Sequence, residues 1–312
     1  MLEAPKKFIN GFYIVLRGSL SEFVNDNTIQ LSASLSFYTL FAIAPVLIIM
    51  ISLAGTFYGT EAVQGKIYGQ INGLVGEGAA IQIQEIIKNV QITDRGSVGA
   101  VIGAIILLIG ATGVFTEIQY SVNYIWDIKA KPKKGWLKYL SNRLLSFSLV
   151  ISLGFILLIS LIINAFLDLL SDRLSLYFAN TSVYIFHILN WAVIFVVVTC
   201  LFATIFKVLP DAVIKWRDAL VGACFTSVLF LIGKYLISIY LTNSRVSVTY
   251  GAAASLVIIL LWVYYSSNIL FLGAEFTKIY TVSYGSGIVP YDNAVFIIKQ
   301  ESKEINIPTV KL

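Results

Sequence analysis

Charge is what this sequence is short of. Of its 312 residues only 12% are Asp, Glu, Lys or Arg, about half of the ~25% usual in soluble domains. So few charges cannot cover a water-facing surface, and the soluble-enzyme readings lose most of their weight. Histidine is nearly missing as well. His187 stands alone, beside two cysteines, Cys200 and Cys224, both inside apolar stretches. That set leaves little for a zinc or haem site, and two buried thiols build no disulfide framework, so cysteine usage does not report the compartment. A nucleotide-binding loop, an HExxH pair and a nucleophile constellation are also missing. The expectation is a protein that is not an enzyme and has no cofactor. A cleavable signal peptide is not expected either. The first long apolar run begins near Leu35, too far in for an ordinary h-region and long enough to span, so it reads as an uncleaved first helix.

What is present is apolar. Hydrophobic residues make up 58% of the chain, and the mean hydropathy is +0.84. Runs of ~20 apolar residues match the ~30 Å hydrocarbon core of a bilayer. Six such runs are visible, at about 34–57, 99–125, 144–168, 183–206, 219–242 and 251–278. A span must satisfy its own backbone polar groups, and the ten-residue alternation of barrel strands is absent, so the runs read as helices. The expected fold is an all-α integral membrane protein. A single six-helix domain covers 1–280, and a polar cytoplasmic tail covers 281–312.

Lysine and arginine placement sets the orientation. With the N-terminus inside, the cytoplasmic segments carry sixteen of these residues and the outer loops five, namely Lys66, Lys88, Arg95, Arg173 and Arg245. Both termini are therefore expected on the cytoplasmic side. Residues 5–25 place Phe8, Phe12, Val15, Leu16, Leu20 and Phe23 near helical spacing, with Lys6, Lys7 and Arg17 between them. This reads either as a helix lying along the cytoplasmic interface or as a packed helix capping the bundle. The outer loop 58–97 contains Ile83, Ile86, Ile87 and Val90 at helical spacing, which predicts an amphipathic outer-loop helix, on the lipid surface or over a cavity. The tail after Tyr280, with Pro290 and Pro308, is expected to be loosely ordered. The basic loop "DIKAKPKKGWLKYLSNR" reads as a positive-inside anchor that is compatible with phospholipid headgroups. Nucleic acid is not an expected partner, because aromatic interleaving and a folded basic face are missing.

Several segments together carry a family likeness: "ASLSFYTLFAIAPVLIIMI" (33–51), "GATGVFTEIQYSVNYIWDI" (110–128), "FKVLPDAVIKWRDALVGACFTSVLFLIGKYLISIYL" (206–241) and "TYGAAASLVIILLWVYYSSNILFLGAEFT" (249–277). This pattern resembles the YihY/BrkB family of bacterial inner-membrane proteins. The resemblance implies six helices in the inner membrane. It brings no agreed catalytic residues. Ala42, Ala44 and Ala254 stand where relatives often carry Ser, Phe or Gly, which alters packing more than identity. An old label in the family, ribonuclease BN, implies phosphodiester hydrolysis, which usually needs clustered histidines and carboxylates on a metal. The lone His187, near the outer end of the fourth run, does not supply them.

Ionisable groups inside spans cost about 2.5–3.5 kcal/mol at the bilayer centre on insertion scales, so each needs a partner or water. Glu117 in the second run, Glu275 in the sixth and Lys234 in the fifth are such groups. Glu117 and Glu275 read as a cavity-lining pair for a cation, a proton or an amine headgroup, or as interfacial carboxylates paired with Lys278 or Lys129. Lys234 reads as a phosphate-binding cation or as a lysine snorkelling to the outer interface. Tyr38 precedes Pro45, whose helix kink could open a polar groove or serve packing. Asn268 lies in a polar band with Tyr264, Tyr265, Ser266 and Ser267 that could line a pathway or bind helices together. Three functions remain: a transporter or flippase-like protein for a lipid or other amphipathic envelope substrate, a non-catalytic envelope scaffold, and, with least support, an intramembrane lipid enzyme. Membrane lipids, and other envelope proteins on the scaffold reading, are the expected partners.

Overall fold

The computed structural model describes residues 3–42, 81, 84, 113–131, 181–243, 250 and 254–299. The described chain is mostly helical. Helix α1, Glu3–Asn25, holds Pro5 in its first turn, where a missing N–H costs nothing. Its end is marked by Asn27 at φ 51, a left-handed turn that Asn tolerates better than most residues. The chain then re-enters helix at once as α2, helical over 28–42. Helix thus starts about six residues before the expected first span, because α1 stops in a one-turn hinge rather than a loop. Helix α3 is described over 113–125, and a turn at Trp126–Asp127 with Asp127 at φ 58 ends it.

Three long helices follow: α4 Thr181–Val208, α5 Trp216–Asn243 and α6 Ala254–Ser283. Within them Trp191–Val208, Trp216–Ile237 and Leu256–Ser283 are long and apolar enough to cross a membrane. Their ends carry the expected charges. Lys207 lies in the last turn of α4 and Asp218 in the first turn of α5, each opposite in sign to the local end of the helix dipole. The turn Leu209–Pro210–Asp211 joins them. Helices α5 and α6 run antiparallel with their backbones in close approach. A side-chain carbon added at Gly222 would collide with Thr277, and one added at Gly273 would collide with Thr226. Small residues permit this proximity.

Helix α1 packs across the far end of α6. Its buried face holds Val15 and Ser19, with Gly11 against Tyr284 and Gly18 against Ile279. Phe12 reaches Phe276 at 5.9 Å between ring centroids, and Phe276 stacks on Phe225 at 3.9 Å. Tyr13, Ile14, Leu20 and Val24 remain exposed on its other face. The main core lies at this same end of the bundle. Val122, Ile125, Trp126, Phe206, Leu209, Ala219, Ala223, Phe271 and Ala274 meet there, and the Trp126 indole N–H donates to the Ala274 carbonyl at 3.1 Å.

The end of the described chain departs from expectation. Residues 284–299 are not loosely ordered but fold back over the helix ends. Strand β1, Ile128–Ala130, pairs antiparallel with β4, Ala294–Phe296, in the register Ile128↔Phe296 and Ala130↔Ala294. Strand β2, Ala212–Val213, pairs with β3, Val289–Pro290. The physical reason is that the chain leaves α3 and α4 with extended backbone whose polar groups need partners, while Ile288 and Ala294 bury apolar surface. The all-α expectation thus gains two small sheets. The third expected span, 144–168, lies outside the described residues. So does the outer-loop helix, except that Ile81 and Gln84 are helical.

Candidate functional site

The returning segment brings charges from four parts of the chain to one end of the bundle. Lys299 donates to Asp26 in the α1–α2 hinge and lies 3.0 Å from Asp127 Oδ1. Its ammonium sits 4.3 Å from the centre of the Tyr124 ring, a favourable cation–π position. Lys278 on α6 meets the other Asp127 oxygen at 2.6 Å and Glu22 Oε2 at 3.9 Å. Asp127 has a left-handed backbone, its one carboxylate serves both lysines, and its carbonyl accepts from Ile297 N–H at 2.7 Å. Burial lowers the affinity of the Lys299 ammonium for its proton, but hydrogen bonds and charge from Asp26 and Asp127 outweigh this and hold it above the ordinary lysine value.

One further tie clips the returning segment down, and two more hold the chain between α4 and α5 beside it. Asp218 Oδ2 accepts from Ser286 N at 3.0 Å and from Ser286 Oγ at 2.7 Å. Asp211, in the α4–α5 turn, exchanges hydrogen bonds with Asn123. The Asn123 Nδ2 donates to its carboxylate and its own N–H donates to Asn123 Oδ1, both at 2.8 Å. Lys207 donates to the Ile214 carbonyl.

Beneath these pairs lies Glu275. It is fully buried on α6, and neither carboxyl oxygen has a hydrogen-bond partner among the described residues. The charges that act on it are Asp26, Lys278, Lys299 and Glu22. Lys278, one of the two partners expected for it, is engaged by Asp127 and Glu22 instead.

The other sequence candidates are dispersed. Trp126 bonds to Ala274, so Glu275 is level with the last turn of α3. Glu117, half-buried nine residues earlier on α3, therefore lies about 13 Å away along that helix. The two carboxyls do not form a pair. Lys234 stands 5.9 Å over the Trp191 ring, toward the opposite end of α5. Asn268 donates back to the Tyr264 carbonyl of its own helix at 2.7 Å, so this contact ties no second helix. Tyr38 on α2 is 45% exposed and lies beside Gly113 of α3. Pro45 lies outside the described residues. Sequence reasoning singled out Glu275 but passed over Asp26, Asp127 and Lys299. Nothing in local spacing links Lys299 to Asp26, which are 273 positions apart.

Long apolar helices, with a buried carboxyl under a cluster of ion pairs at one end, define a helical membrane protein. A family model described as Virulence factor BrkB matches residues 19–290, and the chain belongs to that family. Among curated proteins, it is 30% identical over 263 residues to a UPF0761 membrane protein of Vibrio vulnificus (strain YJ016), covering 81% of this chain and 78% of that one. A UPF0761 membrane protein of Psychromonas ingrahamii (strain DSM 17664 / CCUG 51855 / 37) is 27% identical over 260 residues, covering 81% and 82%. One from Psychrobacter sp. (strain PRwf-1) is 28% identical over 281 residues, 88% of this chain. The match spans only about half the length of the Psychrobacter protein, 50%. No solved structure matches this chain.

Proposed function

We propose that this protein crosses the bacterial inner membrane six times, with both ends cytoplasmic, and moves a lipid or other amphipathic envelope component between leaflets. The topology rests on the six apolar runs and the sixteen-to-five division of basic residues. The cluster around Lys278 and Lys299 is then the cytoplasmic end, and the exposed apolar face of α1 lies along that interface. On this reading the protein is not an enzyme, uses no cofactor and binds no nucleic acid. Its partners are membrane lipids.

One observation carries the transport reading. A fully buried carboxyl without a hydrogen-bond partner among the described residues is costly to keep. Helices that only hold one another gain nothing from it, whereas a transport site needs a polar group whose partner comes and goes. The direct test is transbilayer movement of a fluorescent phospholipid in liposomes carrying the purified chain. The native protein accelerates it over empty liposomes, and Glu275→Gln lowers the rate at equal incorporation. No acceleration by the native protein refutes the reading.

A second reading, a static envelope scaffold that could bind other envelope proteins, has its own support. Thr226, Ser227, Ser267 and Thr277 all return their hydroxyls to carbonyls four residues back on the same helix. The α5–α6 contact is tight along the glycines. That arrangement fits a rigid pair with no polar pathway between them. An inert protein in the liposome assay favours this reading.

A further inference from the structure

We infer that Glu275 is a proton-binding site, which holds its proton while the 284–299 segment is clipped over the helix ends. Both oxygens are sealed from water and receive no hydrogen bond from a described residue. An ionised carboxylate there has neither solvation nor a donor, whereas the neutral acid carries no charge to compensate.

The surroundings favour the same form. Glu22 faces Glu275 from α1, Asp26 from the α1–α2 hinge, Lys278 from its own helix and Lys299 from the returning tail. Both lysines are already engaged, Lys278 by Asp127 and Glu22 and Lys299 by Asp26 and Asp127. Three carboxylates thus share two ammonium groups, and an ionised Glu275 would add to a negative excess. The helices packed nearby do not redress it. Asp218 at the start of α5 is held by Ser286, and Lys207 at the end of α4 is held by the Ile214 carbonyl. A metal ion fits less well than a proton, since among the described residues no three His, Cys, Asp or Glu side chains group to hold one.

The clip gives the site a gate. Lys299 anchors the tail to Asp26 and Asp127. Its release would bare Asp26 and admit water to Glu275, and the proton could then leave. Coupling of that proton to lipid movement rests on the transport reading, but the proton site itself does not.

Infrared difference spectroscopy on the full chain in lipid tests this directly. At neutral pH the native protein should show the carbonyl stretch of an un-ionised carboxylic acid. That band should vanish in Glu275→Gln, and on transfer to heavy water its isotope shift should develop faster in Lys299→Met, whose tail is released, than in the native chain; equal exchange in the two overturns the gate. A native spectrum with no such band overturns the proposal, as does a band that persists unchanged in Glu275→Gln. Should the Gln variant fail to fold, Glu275→Asp keeps the acid but displaces its band, and an undisplaced band likewise overturns the assignment. The measurement involves no transport. A present band with no lipid movement therefore removes the transport reading alone.

Discussion

Thr226 of α5 fills the space that a side chain at Gly273 of α6 would need. The contact is reciprocated one turn away, where Thr277 of α6 fills the space beside Gly222 of α5. Each threonine hydroxyl is bonded within its own helix, Thr226 to the Gly222 carbonyl at 2.7 Å and Thr277 to the Gly273 carbonyl at 2.6 Å. Neither is free to swing aside without losing that bond. Gly273→Ala and Gly222→Ala should therefore each destabilise the protein by about 1–3 kcal/mol through overpacking. Thermal unfolding in detergent measures the loss. The swap Thr226→Gly with Gly273→Ala should recover part of it, and a double variant whose loss is the plain sum of the singles would show that the two sites do not touch.

The helices were legible in the sequence because a bilayer imposes a length. The runs at 183–206, 219–242 and 251–278 became Thr181–Val208, Trp216–Asn243 and Ala254–Ser283. The largest error falls at the end of α6. There Ile279 packs on Gly18 of α1, and Tyr284, the first residue past the helix, packs on Gly11, tertiary contacts that hydropathy cannot register. Glu275 was legible for the opposite reason, as a carboxyl in an apolar helix. Its neighbours were not. Asp26, Asp127 and Lys299 look like ordinary polar residues at helix ends and in a tail, and only folding brings them together. Strands of two or three residues carry no period to detect, so the tail clip left no trace in the pattern.

Lys299 should control whether that tail stays attached. Lys299→Met removes charge-assisted bonds to Asp26 and Asp127, a loss of about 1–3 kcal/mol. Amide hydrogen exchange over residues 289–298 should rise while exchange in the middle of α5 and α6 stays unchanged. The pH dependence has a definite sign. The Lys299 ammonium is held above its ordinary value of 10.5, so its stabilisation is complete below that pH and is lost as pH rises through the higher folded value. In the native chain, cleavage of the tail by an alkali-tolerant protease should stay low through neutral pH and increase only above the ordinary lysine range. A tail released between pH 6 and pH 9 would contradict this.

Asp218 fastens the other end of the same segment. It is 4% exposed and accepts both the amide and the hydroxyl of Ser286, while its position in the first turn of α5 complements the helix dipole. Asp218→Ala should cost about 1–3 kcal/mol, because it leaves Ser286 without its acceptor and α5 without its first-turn charge. Asp218→Asn keeps one acceptor oxygen and should cost less. Equal unfolding temperatures for the two variants would mean that the serine contact contributes nothing.

Glu275 is where the transport and scaffold readings predict different outcomes. A buried carboxyl with no hydrogen-bond partner among the described residues is a site where an apolar side chain of similar volume improves the folded state, since desolvation is removed and nothing is left unpaired. Glu275→Met should therefore raise the unfolding temperature, with a gain of about 1–3 kcal/mol, the cost of burying a polar group without a hydrogen bond. Lipid movement in liposomes should fall in the same variant. The opposite pattern, a less stable protein with unchanged lipid movement, would mean that Glu275 holds the bundle together through a contact and has no part in transport.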